Sequence, residues 1–220
     1  MTEQHILDQV GQAGLVPLFT HKDLEVAKKT IDAAYEAGIR VFEYTNRLPN
    51  SFEIFKSLKV YAEKYDDLIF GIGTIFTVKE AEKYLLAGAD FIISPAMIQD
   101  VAQYCFQKGV TYIPGCATVT EVYQAVRSGS SLVKVFPGNV LGPGFVKAVL
   151  SVLPEVKLMA TGGVSPTEEN LRSWFDAGVF CVGMGSQLFD TKELESGNFD
   201  GLKTRITNSL NIIQNIRKGA

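Results

Sequence analysis

The sequence predicts a single (β/α)8 barrel, an α/β fold of the TIM-barrel type, spanning residues 1–220, and three observations predict it. Short, largely apolar runs recur at 15–19, 40–45, 68–74, 91–95, 111–116, 132–137, 157–162 and 180–184. Apolar runs of this kind suit parallel strands buried on both faces. Amphipathic patterns separate them, near 22–37, 51–65, 78–87, 98–107, 119–128, 144–153 and 167–176, with a last near 200–217. Gly38, Gly88, Gly109, Gly129 and Gly178 each precede a strand, where glycine ends a helix in the left-handed conformation. The exits Glu36-Ala37-Gly38, Leu86-Ala87-Gly88 and Asp176-Ala177-Gly178 share an Ala-Gly ending that marks the repeat. A doubly wound open sheet is the alternative, but no glycine-rich dinucleotide fingerprint follows the first strand.

Composition narrows the partners. Hydrophobic residues make up 46% and charged residues 20%, as in an ordinary soluble domain. The net charge of −3 comes without a dense basic cluster, which argues against a nucleic-acid partner. No apolar stretch nears the roughly 20 residues that span a bilayer, so no membrane partner is expected. The first twenty residues show no basic start followed by a long apolar run. Cys105, Cys116 and Cys181 lack paired spacing, which fits a reduced, cytoplasmic setting. His5 and His21 are the only histidines, so no zinc site is expected. A carboxylate-held magnesium ion stays open at this level.

The strands then supply chemistry in order, because a parallel barrel keeps its active site at the C-terminal strand ends. In Val41-Phe42-Glu43-Tyr44-Thr45-Asn46-Arg47, period two puts Glu43, Thr45 and Arg47 on one face. Facing inward, Glu43 is a buried carboxylate near the barrel top; the plainer alternative is a structural Glu43–Arg47 ion pair. Phe70-Gly71-Ile72-Gly73-Thr74 lets another group approach the backbone and ends on a hydroxyl, which could equally cap a helix. Cys116 has no histidine near it in sequence and reads as packing.

The sixth strand, Leu132-Val133-Lys134-Val135-Phe136-Pro137, places a lysine where the pattern is apolar. Burial disfavours the ammonium, and a neutral amine condenses with ketones. In the seventh unit, Thr161-Gly162-Gly163 precedes Ser165-Pro166-Thr167-Glu168, which reads as an N-cap at Ser165 with a capping box to Glu168. The eighth ends Gly183-Met184-Gly185-Ser186. Glycine-rich turns after strands seven and eight commonly hold phosphate. Trp174 and Phe175 are expected to pack their helix on the barrel, and Leu202, Ile206, Leu210 and Ile213 give the last helix a core-facing stripe.

Together these segments resemble the 2-keto-3-deoxy-6-phosphogluconate (KDPG) and 4-hydroxy-2-oxoglutarate aldolases over nearly the whole chain. The resemblance rests on Phe42-Glu43-Tyr44-Thr45-Asn46-Arg47, Gly71-Ile72-Gly73-Thr74, Ile93-Ser94-Pro95, Ile113-Pro114-Gly115, Lys134-Val135-Phe136-Pro137 and Thr161-Gly162-Gly163. It implies a metal-independent Schiff-base aldolase that uses no cofactor and assembles as a homotrimer. Lys134 then matches the Schiff-base lysine and Glu43 the general acid/base. Arg47 and Thr74 match the residues that hold the pyruvate carboxylate, and Thr161 and Phe136 fall beside the keto acid. Gly162, Gly163, Gly185 and Ser186 fall on the phosphate-binding turns. The implied substrate is a 2-keto-3-deoxy phospho sugar acid, cleaved to pyruvate and glyceraldehyde 3-phosphate, with 4-hydroxy-2-oxoglutarate as a further one. Tyr44 and Asn46 depart from aliphatic residues, and Gly138-Asn139 from alanine and an acidic residue, which opens the choice between gluconate and galactonate epimers. Rival readings are a metal-dependent epimerase or decarboxylase on a phosphate-binding barrel, and a non-catalytic phosphate-binding barrel.

Overall fold

The computed structural model describes residues 2–219. Its strands are β1 (Leu15–Phe19), β2 (Val41–Thr45), β3 (Ile69–Gly73), β4 (Phe91–Ile93), β5 (Thr111–Ile113), β6 (Gly115–Cys116), β7 (Leu132–Val135), β8 (Lys157–Thr161) and β9 (Cys181–Met184). All pair in parallel, in the order β5-β4-β3-β2-β1-β9-β8-β7-β6. The two edges, β5 and β6, are consecutive in the chain. They are the expected fifth strand divided at Pro114, which has no N–H to give to a ladder. The upper half bonds to β7, and Lys134 N–H donates to the Pro114 carbonyl at 2.9 Å. One bent strand thus joins both edges, and the molecule is the expected (β/α)8 barrel.

The helices are α1 (Glu3–Ala13), α2 (Leu24–Glu36), α3 (Ser51–Ala62), α4 (Val78–Leu86), α5 (Gln99–Lys108), α6 (Val119–Arg127), α7 (Gly138–Val152), α8 (Glu168–Phe175), α9 (Thr191–Glu195) and α10 (Asp200–Lys218). Helices α1 and α9 lie outside the expected repeat. Helix α1 has its own signals: Thr2 accepts from the His5 N–H as N-cap, and Gly14 ends the helix at φ 70°. Its Ile6, Leu7 and Val10 enter the bottom of the barrel beside Val16, Phe91 and Met159. Helix α7 starts earlier than expected and breaks at Gly142, at φ 71° and ψ 171°, just before Pro143.

The start of α8 corrects one expectation. Its N-cap is Thr167, which accepts from the Asn170 N–H, whereas Ser165 lies before the helix with its N–H on Asn170 Oδ1 at 2.8 Å. Both hydroxyl residues fit the cap pattern; Thr167 takes the role, extended at φ −104° and ψ 146°, while the Ser165 hydroxyl lies 3.2 Å from that of Thr167 and meets no helix N–H. Trp174 is buried, and Leu202, Ile206 and Ile213 face the core as expected, with Leu210 half-buried. Among the described residues, no helix is long and apolar enough to cross a membrane.

Candidate active site

The C-terminal strand ends enclose a cleft of 510 Å³. Arg47 and Thr74 stand at one end, Phe136 and Thr161 in its wall, and Gly162, Gly163, Gly185 and Ser186 at the other. Every binding residue expected from sequence is therefore on one surface. Leu18, Phe76 and Gln187 also line it; their one sequence signal was their place just at or after a strand end.

Beneath the cleft lie Lys134 and Glu43. Lys134 is 3% exposed and Glu43 1%, so neither forms its open wall. Register explains their positions: Lys134 lies opposite Gly115 and Met159, and Glu43 lies opposite Leu18 and Gly71. Glycine makes room for Glu43 and, beside Lys134, for a close backbone approach. A side chain on Gly73 would overlap the Glu43 carboxylate, and one on Gly115 would overlap the Pro95 carbonyl.

Lys134 Nζ sits 3.9 Å from Glu43 Oε1 and 5.3 Å from the centre of the Phe136 ring. The second carboxylate oxygen of Glu43 has no hydrogen-bond partner among the described residues. The partner of Glu43 is thus Lys134, in place of the Glu43–Arg47 ion pair weighed from sequence. Arg47 instead directs Nε to Thr74 Oγ1 at 3.4 Å. Burial holds the Lys134 ammonium below the ordinary lysine value, against the attraction of Glu43 and with help from Arg47. Burial likewise raises the Glu43 carboxyl, against Lys134 and Arg47. Both groups are pushed towards their neutral forms, so desolvation outweighs the attraction between them.

Two further features are costly unless used. Thr74 has φ 64°, a left-handed conformation that a β-branched residue avoids. Such strain persists where surrounding bonds over-determine the backbone. Here Asn46 N–H bonds the Gly73 carbonyl at 2.9 Å, and Ile75 N–H the Ile93 carbonyl at 3.2 Å. Thr161 Oγ1 is buried at the cleft wall with no hydrogen-bond partner among the described residues. It leans over Gly183, where any side chain would overlap it.

The departures noted in sequence fall outside the cleft. Asn46 points to α4, with Nδ2 3.2 Å from Glu80 Oε1 and Oδ1 accepting from Tyr84 Oη at 2.7 Å. Tyr44 packs outward against Phe55. Gly138 and Asn139 press on the Gly162–Gly163 turn: a Cβ at 138 would lie 2.6 Å from the Gly162 carbonyl oxygen. Cys116 is buried, and its thiol is pushed up to about 12 by desolvation, as a packing residue would be. Among the described residues no three His, Cys, Asp or Glu side chains cluster to hold a metal ion.

A barrel that buries an amine beside a carboxylate, beneath a cleft with a guanidinium at one end and glycine turns at the other, has the form of an enzyme for carbonyl chemistry. Residues 6–205 match the family model "Aldolase: KDPG and KHG aldolase". The chain belongs to that family, and it is an aldolase. It is 33% identical over 162 residues to the 2-dehydro-3-deoxy-6-phosphogalactonate aldolase of Escherichia coli K12, covering 72% of this chain and 76% of that one. It is 31% identical over 195 residues to the 2-dehydro-3-deoxy-phosphogluconate aldolase of Pseudoalteromonas atlantica, with 88% of each chain covered. Among solved structures, the KDPG aldolase of Legionella pneumophila, with pyruvate captured as a covalent carbinolamine, superposes with a TM-score of 0.83. That match has 26% identity and covers 91% of this chain and 96% of the other.

Proposed function

We propose that the protein cleaves 2-keto-3-deoxy-6-phosphogluconate to pyruvate and glyceraldehyde 3-phosphate through a Schiff base on Lys134. The observation that carries this reading is the buried amine, 3.9 Å from a buried carboxylate, with its pKa lowered by desolvation. The neutral amine attacks the C2 ketone; water leaves and an iminium forms. The C3–C4 bond then breaks, its electrons passing into the enamine as the C4 hydroxyl loses its proton. Glu43 takes that proton, through water, and later returns a proton to C3 of the enamine; water then hydrolyses the resulting iminium, releasing pyruvate and the free Lys134 amine. The raised pKa of Glu43 brings it nearer the working pH, where proton transfer is most effective. Arg47 binds the substrate carboxylate through its planar fork, with Thr74 alongside. Phe136 and Thr161 flank the keto acid. The backbone of Gly162, Gly163 and Gly185, with Ser186, receives the phosphate.

The galactonate epimer and 4-hydroxy-2-oxoglutarate are the competing substrates, and relatives named for each kind of activity match the chain at about the same identity. Comparing kcat/KM for the three acids decides among them. The same reading makes the enzyme a cytoplasmic homotrimer. An exposed apolar face on α6, formed by Val119, Tyr123 and Val126, supports assembly.

The test of the chemistry is borohydride reduction in the presence of pyruvate, followed by peptide mapping. The expected result is one pyruvyl adduct, on Lys134, and its loss in Lys134→Ala. An adduct elsewhere, or none, overturns the reading.

A further inference from the structure

Beside the main cleft the same barrel end holds a second chamber, of 220 Å³, which shares Leu18, Arg47, Gly185 and Ser186 with it. Thr20, His21, Thr45 and Thr191 complete its polar wall, and no carboxylate lines it. It sits at the end of β1, between Arg47 after β2 and Gly185–Ser186 after β9, neighbours in the barrel order. Arg47 and Gly185–Ser186 thus border both spaces.

His21 is held from three sides. Its backbone N–H donates to Tyr44 Oη at 3.4 Å, and its carbonyl accepts from that hydroxyl at 2.9 Å. The imidazole stacks on Phe19, with centroids 6.1 Å apart and planes at 1°. Nδ1 lies 3.1 Å from the Asp23 N–H, and Asp23 is the N-cap of α2. The Asp23 carbonyl also lies 3.3 Å from Nδ1; with Nδ1 accepting from the Asp23 N–H, the imidazole carries its N–H at Nε2. The result is a pre-positioned donor in the chamber wall. Next to it Thr20 Oγ1 is buried without a hydrogen-bond partner among the described residues. Tyr44, one of the residues that departs from the family pattern, is what ties this loop down.

We propose that the chamber receives the hydroxyl-bearing part of the substrate's aldehyde-derived half, with His21 Nε2–H and Thr20 Oγ1 as contacts and His21 as a specificity-determining residue. The proposal rests on the Lys134 aldolase reading and names which part of that substrate the chamber selects. A hydroxyl both donates and accepts, which matches an imidazole N–H beside a free hydroxyl. A site built to hydrogen-bond a substrate hydroxyl discriminates strongly against an analogue that places it elsewhere.

Two variants separate contact from structure. His21→Asn keeps an acceptor near the Nδ1 position for the Asp23 N–H and deletes the Nε2 donor. His21→Gln carries an amide N–H to the Nε2 position. Each is assayed for kcat/KM on the three keto acids and for exchange of pyruvate methyl protons with deuterated solvent, which needs Lys134 and Glu43 but no aldehyde half. The contact predicts a fall of about five- to tenfold in cleavage of the preferred acid by His21→Asn, recovered largely by His21→Gln, with exchange within about twofold of wild type. Thr20→Val, away from the α2 cap, gives a smaller fall of the same selectivity. Unchanged cleavage, an equal fall in cleavage and exchange, or a His21→Gln enzyme as poor as His21→Asn each overturns the proposal. A wild-type enzyme that gives exchange and the Lys134 adduct isolates the chamber as what failed; one that gives neither overturns the aldolase reading with it.

Discussion

Lys134 and Glu43 together hold less charge than two exposed residues would, and this has a sign in pH. Folded Glu43 keeps its proton above 4.5, its ordinary value. Its stabilising share is present below that value and is lost as pH rises through the raised one. Folded Lys134 gives up its proton below 10.5. Its share is present above that value and is lost as pH falls through the lowered one. Across the neutral range the pair therefore works against folding, as functional groups often do. Glu43→Gln, which copies the protonated carboxyl, should leave the thermal midpoint unchanged near pH 4 and raise it at pH 8, measured by calorimetry. Its kcat should fall by about 10²–10⁴-fold, the usual worth of a positioned acid/base. At this scale the sequence was readable: a lysine in an apolar strand and a glutamate two residues before the end of another are visible as letters. That each is the other's partner was not, because β2 and β7 meet only across the barrel.

At the scale of elements, the informative contact is between the start of α7 and the turn after β8. A Cβ at residue 138 would lie 2.6 Å from the Gly162 carbonyl oxygen and 2.9 Å from that of Thr161. One at residue 163 would lie 2.6 Å from the Asn139 Cβ. The segment following the Lys134 strand therefore locates the turn assigned to the phosphate. Gly138→Ala must push that turn outward, and a displacement near 1 Å can cost about 10²-fold. The expected outcome is a loss of about ten- to a hundredfold in kcat/KM on the phosphorylated acid, with borohydride trapping of pyruvate unchanged. Equal losses in both assays would mean the interlock serves folding alone. Strands and most helices were legible because a short apolar run and a period of 3.6 are both local signals. Where local signals competed they failed: Ser165 and Thr167 both fit a cap, and Pro114 divided a strand that reads as continuous. Asn46 and Tyr44, read as bearing on substrate choice, both point out of the main cleft, to α4 and to α3, and Tyr44 reaches His21 through its hydroxyl.

For the whole molecule, closure and plugging divide the barrel into a stable bottom and a reactive top. Ile6, Leu7 and Val10 of α1 fill the lower interior, and the Lys134–Glu43 pair occupies the level beneath the cleft. Ile6→Ala should cost about 2–5 kcal/mol through the cavity it leaves, read from the denaturant midpoint. It should leave kcat/KM unchanged, because it lies at the end opposite the chemistry. A parallel loss of activity would show that the plug also sets the geometry of the top. The sequence by itself determined the repeat, the strand ends and the residue types at them, since these depend on local pattern and on chemistry each side chain carries alone. Only the tertiary structure decided that Glu43 faces Lys134 and not Arg47, that Thr74 is strained, and that His21 lines a chamber beside the cleft. Those facts depend on which distant segments share a strand end, and burial then sets the charge that a single letter leaves open.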